Sequence, residues 1–109
     1  HQETLKKIEL RTEDEKTYLK MVDYLKVIGD PTRIKILDAL KEDQLCVCDL
    51  SYLIGITKSA ISHQMKLLKS YDLVESSKVG KMVYYTSKGD DIYPLIEQTK
   101  QLVKGHSHD

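Results

Sequence analysis

The apolar residues of this chain keep a helical spacing as far as Tyr71, switch to a period of two between Leu73 and Lys88, then return to helical spacing up to Lys104. One face of a helix repeats every 3.6 residues and one face of a strand every two. A strand–turn–strand unit is therefore set between helices. With 109 residues the chain is expected to form a single domain over 1–109, with 1–16 as an N-terminal arm or helix and 105–109 as a tail.

Leu5, Ile8 and Leu10 are spaced for a weak amphipathic helix in the polar segment 1–16. From Thr17 the pattern strengthens: Tyr18, Met21, Val22, Leu25 and Ile28 recur at threes and fours. Gly29 ends this helix. Asp30-Pro31 opens the next, with Asp as N-cap and Pro at the first helical position. Ile34, Ile36, Leu37 and Leu40 line it. CVCDLSYLIG then reads as a short helix closed by Gly55. KSAISHQMKLLKSY follows as a longer one, capped by Thr57 or Ser59, with Ala60, Ile61, Met65 and Leu68 facing inward. LVESSKVGKMVYYTSK forms the hairpin, with its turn near Val79-Gly80. A last helix starts at Asp90 or Asp91, which serve as N-cap candidates, and carries Pro94 in its first turn, where proline is tolerated. Leu95, Ile96, Thr99, Leu102 and Val103 make a stripe on it with no partner left in the chain.

A short helix, a glycine turn, a second helix with a lysine-bearing face and then a basic hairpin is the order of a winged helix-turn-helix. The expected fold class is mainly α with a β-hairpin wing. The plain alternative is a small helical domain with one polar helix. On the DNA-binding reading, Ser59, Ser62, His63 and Gln64 can exchange hydrogen bonds with base edges in the major groove. Lys58, Lys66 and Lys69 can hold phosphates, and Lys78 and Lys81 on the wing can reach the neighbouring backbone or the minor groove. A local packing role is equally open for His63. The unpartnered stripe on the last helix calls for a second copy, a homodimer through the N- and C-terminal helices, since two half-sites on double-stranded operator DNA want a two-fold protein.

Charge supports this only in its distribution. The net charge is zero, which taken alone argues against nucleic acid. From Thr57 to Lys88, however, six lysines face two acids, a net of +4, while His1–Asp30 holds seven acids and six bases. Apolar residues make up 40% and charged ones 31%, as in folded, soluble chains. The core has no Phe or Trp to draw on and must be Leu, Ile and Val with help from seven Tyr. No apolar run approaches the roughly 18 residues of a membrane span, and no leader pattern is seen. A cytoplasmic location without membrane partners is expected. The chain begins at His1 rather than Met, and residues upstream are expected.

Cys46 and Cys48 are the only cysteines. At i and i+2 they are too close for a relaxed disulfide, and free thiols fit a reducing cytosol. They lie about 200° apart on a regular helix, so at least one should be accessible. They precede or open a helix, whose N-terminal dipole favours thiolate. Two thiolates at this spacing suit a soft ion: Cd(II), Pb(II), Zn(II), Cu(I) or As(III). For both to grip one ion, the first turn of that helix must open. The plain alternative is that each is a small buried hydrophobe. No CxxC spacing, nucleophile–base pair or phosphate loop points to an enzyme, and no organic cofactor is implied. His106 and His108 in the tail GHSHD could give nitrogen to Zn(II) or Ni(II), although a plain tail is the simpler reading.

With those residues in view, the chain resembles the ArsR/SmtB family of metal-sensing bacterial repressors. The resemblance spans roughly Tyr24–Val103, through IGDPTRIKILDAL, LCVCDL, TKSAISHQMKLLKSYDLV and GKMVYYTS. It implies a dimeric winged helix-turn-helix that occupies its operator metal-free and leaves it when metal binds, releasing an efflux or detoxification operon. It also implies that Cys46 and Cys48 belong to a sulfur-rich site. The N-terminal cysteines of cadmium- and lead-sensing relatives are missing, with His1, Glu3 or upstream residues in their place. The third nearby cysteine of arsenic-sensing relatives is missing too. A second family site on the last helix finds Asp91 in place. Tyr93, Lys104 and Ser107 stand where its other ligands would be, which leaves at most a shifted set using Asp90 or Asp91 with His106 or His108. A redox- or persulfide-sensing repressor of the same fold is the main alternative. A metal-buffering domain with no salt-dependent DNA affinity is a third.

Overall fold

In the computed structural model, which describes residues 1–105, the chain runs α1 (Gln2–Arg11), α2 (Glu15–Ile28), α3 (Pro31–Ala39), β1 (Leu45–Cys46), α4 (Val47–Ile54), α5 (Lys58–Ser70), β2 (Val74–Val79), β3 (Met82–Ser87) and α6 (Ile92–Gly105). The helix ends follow from local chemistry. The Asp14 carboxylate accepts from Thr17 N–H at 2.8 Å and starts α2 two residues earlier than the apolar spacing predicts. Asp30 caps α3 by accepting from Arg33 N–H at 3.1 Å, with Pro31 at the first position, which satisfies an amide that has no partner inside the helix.

Two local expectations are corrected. The CVC segment is not helical from its start: Leu45 and Cys46 form a short strand, and the helix begins at Val47. The 200° argument therefore does not apply to this pair, because Cys46 stands outside the helix. The hairpin turn is one residue further on, with Val79 paired to Met82 across Gly80-Lys81. Gly80 takes φ +61° there, a left-handed conformation that glycine adopts without steric cost.

The sheet is antiparallel with order β1-β3-β2. Tyr84 in β3 sits opposite Cys46 on one side and Ser77 on the other. One core gathers Ile36, Leu37, Leu40, Leu50, Ile61, Met65, Leu68 and Val74, joined by Val27, Ile28, Ile92, Tyr93 and Ile96. Burial of Ile96 corrects the expectation that the whole α6 stripe lacks an intrachain partner. The rest of the stripe remains open: Leu102 is 53% and Val103 65% exposed. Helix α1 buries no residue. The radius of gyration is 17.9 Å, against about 13 Å for a compact chain of this length, because the outer helices are not folded back on the core. Among the described residues, no helix is long and apolar enough to cross a membrane.

Candidate functional site

The centre of the molecule is a helix-turn-helix. Leu50 of α4 and Ile61, Met65 and Leu68 of α5 are fully buried and lock the two helices together. Between them, Gly55 adopts φ +80°, where any side chain would be strained. The turn is closed by the Ser51 hydroxyl, which donates to Ile56 O at 2.5 Å. Thr57, not Ser59, caps α5, its hydroxyl accepting from Ala60 N–H at 3.0 Å. Burying one face of α5 leaves Lys58, Ser59, Ser62, His63 and Lys66 exposed on the opposite one. Lys78 in β2 and Lys81 in the hairpin turn are exposed as well.

Two of the predicted contacts have intramolecular partners. Lys69 donates to Ser76 Oγ at 2.8 Å, a bond from the end of α5 to the wing. Gln64 is half-buried, and its side-chain carbonyl accepts from Arg33 Nη1 at 3.1 Å. Arg33, which the sequence reading did not single out, is the partner that holds Gln64. Its Nη2 also donates to Lys26 O at 3.2 Å and its Nε to Val27 O. Those two carbonyls lie in the last turn of α2, where intrahelical donors run out and a cation is favoured. An arginine four residues past Gly29 was the available signal.

The corner from α5 into the wing is set by Asp72, the one non-glycine residue with positive φ (+62°) among those described. Its carboxylate meets Lys88 Nζ at 2.6 Å, and this bond holds the ammonium above the usual lysine range. Tyr71 donates to Asp23 at 2.8 Å, which raises its phenol and ties α5 to α2.

The thiols lie where the wing meets the first helix of the pair. Cys46 is buried and Cys48 exposed. Cys46 is both the N-cap of α4 and the β1 residue facing Tyr84. Its N–H donates to the Asp49 carboxylate at 3.1 Å. Just upstream, the Gln44 amide donates to Ser77 Oγ on β2 at 3.1 Å. The donor set offers two soft sulfurs, one buried at the cap of α4 and one exposed. Among the described residues, no three His, Cys, Asp or Glu side chains form a metal-holding group. His1 is exposed at the start of α1 and Asp91 is exposed before α6. His106 and His108 lie outside the described residues. Tyr93, at the position of a ligand in the second family site, is instead buried, and its hydroxyl donates to Leu37 O at 2.8 Å.

A buried-face helix pair, an outward lysine- and serine-bearing second helix and a hairpin beside it define a winged helix-turn-helix. The profile of the bacterial regulatory proteins of the arsR family matches residues 30–76. Over 79 residues the chain is 34% identical to the transcriptional repressor SmtB homolog of Synechocystis sp., covering 72% of this chain and 60% of that protein. It is 41% identical over 75 residues to the cadmium resistance transcriptional regulatory protein CadC of Listeria innocua, covering 68% and 63%. The chain thus spans less than two thirds of the length of these two relatives. The fold of reduced HlyU from Vibrio cholerae superposes with a TM-score of 0.71 at 31% identity, covering 81% of this chain and 93% of that one. The chain belongs to the ArsR/SmtB family.

Proposed function

We propose that this chain acts as a homodimeric, metal-responsive transcriptional repressor. It binds double-stranded operator DNA when metal-free and leaves it when a thiophilic ion (Cd, Pb, Zn or As(III)) engages Cys46 and Cys48, derepressing a metal efflux or resistance operon. The observation that carries this reading is the position of Cys46. One residue caps the first helix of the DNA reader and pairs with the wing strand. An ion that engaged both sulfurs would pull on the first turn of α4, on the Asp49 bond to the Cys46 amide and on the pairing of β1 with β3. A coupling of a few kcal/mol suffices to change operator occupancy. Further ligands would come from a partner copy, from His1, from Asp91 or from the tail histidines His106 and His108.

DNA contact falls to Lys58, Ser59, Ser62, His63 and Lys66, with Gln64 and Lys69 sharing their polar atoms with Arg33 and Ser76, and to Lys78 and Lys81 on the wing. The apolar faces of α2 and α6 are the dimer surface. Similarity to a cadmium-resistance regulator supports the metal reading.

The test is fluorescence anisotropy on a palindromic promoter fragment, titrated separately with Zn(II), Cd(II), Pb(II) and As(III). Stoichiometric release by one ion is expected. Cys46→Ser and Cys48→Ser should keep DNA affinity and lose that release; retained release in both would refute the thiol assignment. A second reading, a redox or persulfide sensor, is favoured by the exposed Cys48 thiol two residues from a buried one and by the likeness to HlyU in a reduced form. It predicts a covalent adduct or bridge at Cys46 and Cys48, read by mass spectrometry after oxidant or persulfide treatment.

A further inference from the structure

The outward face of α5 can serve two half-sites only if its orientation relative to the dimer surface is held. The exposed apolar residues of α2 (Leu19 61%, Met21 49%, Val22 47%, Leu25 48%) and of α6 (Leu102, Val103) mark that surface. They lie on elements other than the reading helix. Besides the Tyr71–Asp23 bond just past the end of α5, one side chain joins α2 to the middle of the reading helix through a fixed fork. Arg33 Nε and Nη2 hold the Val27 and Lys26 carbonyls at the end of α2, and Nη1 holds Gln64 in the middle of α5.

We infer that Arg33 is a positioning residue for operator recognition, bolting the reading helix to the dimer surface through Gln64 and thereby setting which half-site spacing the dimer accepts. The inference rests on the operator-binding, dimeric reading above. Its chemistry is specific to a guanidinium. Three donors leave one rigid plane in different directions, two toward a helix end and one toward an amide. An ammonium keeps the charge at the α2 terminus but has no such fork. A two-fold axis repeats any tilt of α5 on the partner, so a small rotation changes the separation of both reading helices, which must match one helical turn of DNA, about 34 Å. Gln64 enters as the acceptor that locks the bolt, which accounts for its half-burial on a helix whose polar residues otherwise face out.

The experiment measures anisotropy of the parent protein, Arg33→Lys, Gln64→Leu and the double variant. The probes are palindromic duplexes whose half-sites are stepped apart one base pair at a time, at one salt concentration. The parent should show one spacing optimum, with affinity falling about tenfold one step away. Arg33→Lys should keep its non-specific, salt-dependent affinity but flatten that profile to within about threefold across neighbouring spacings. Gln64→Leu should flatten it likewise, and the double variant should be no flatter, since both substitutions break one link. An unchanged profile in Arg33→Lys overturns the inference. So does a Gln64→Leu variant that alters base preference at fixed spacing while Arg33→Lys does not, because Gln64 would then be a base reader. If the parent has no salt-dependent affinity for any duplex, the operator reading itself falls, a result distinct from a parent optimum that Arg33→Lys leaves intact.

Discussion

Cys46 and Cys48 are identical in sequence terms and opposite in environment, one capping a helix from inside the fold and one standing in solvent. This asymmetry bears on the proposed chemistry, because an incoming ion or oxidant would meet the exposed Cys48 before the buried Cys46. Tyr93 shows the same dependence on environment. Leu37 O lies in the last turn of α3, and the Lys41 amide that a continuing helix would have offered it turns to Asp38 O instead. The Tyr93 hydroxyl fills that vacancy in a buried site. Tyr93→Phe keeps the ring and leaves the carbonyl unpaired. It should cost about 1–3 kcal/mol in urea unfolding, whereas a change below about 0.5 kcal/mol would show that water replaces the bond.

At the scale of elements, α2 starts on the Asp14 cap and ends at Gly29, with Arg33 donating to two carbonyls of its last turn. Chiefly its bond with Thr17 holds the Asp14 carboxyl below the ordinary value of 3.8. A depressed folded pKa means that the cap contributes fully above the ordinary value and is lost as pH falls through the folded one. The first turn of α2 should therefore fray only in that acid window, seen as faster amide exchange at Thr17 and Tyr18. Asp14→Asn should remove the pH dependence, and fraying that persists unchanged in that variant would assign it to another carboxyl. The strand β1 is the shortest element. Two residues long, it fastens the wing to the mouth of α4 and brings Gln44 across to Ser77.

For the whole molecule, the single chain leaves a groove of about 410 Å³ between α2, α3 and α6, lined by Leu25, Ile28, Ile34, Leu95, Ile96 and Val103 among others. Together with the bare α1 and the extended outline of 64 × 37 × 21 Å, this is the apolar surface that the proposed dimer would cover. Leu102 is 53% exposed, so Leu102→Glu should leave the chain folded yet place a carboxylate in the proposed dimer surface. Sedimentation equilibrium should show dimerisation weakened at least tenfold, about 1.4 kcal/mol, and the parent's melting temperature should rise with protein concentration. An unchanged dimer constant would move the interface elsewhere.

Much of this was legible in the residues alone. Asp30-Pro31, Gly55 and Thr57 act on backbone groups within three or four positions, and the change from helical spacing to alternation at Leu73 is a property of neighbours. Helix order, the glycine turn, the outward lysines of α5 and the wing all follow from such short-range rules. The pairing of β1 with β3, the bond from Arg33 to Gln64 31 residues away, the reach of Tyr93 to Leu37 across 56 positions and the split burial of the two thiols do not. Each joins residues that leave no mark on one another's local pattern, and each becomes decidable only when packing brings their atoms within hydrogen-bond range. The sequence by itself determined the helix-turn-helix and its charged face, because those need only local periodicity and caps. The tertiary structure decided how the thiols and the reading helix are tied to the rest, because those ties are non-local.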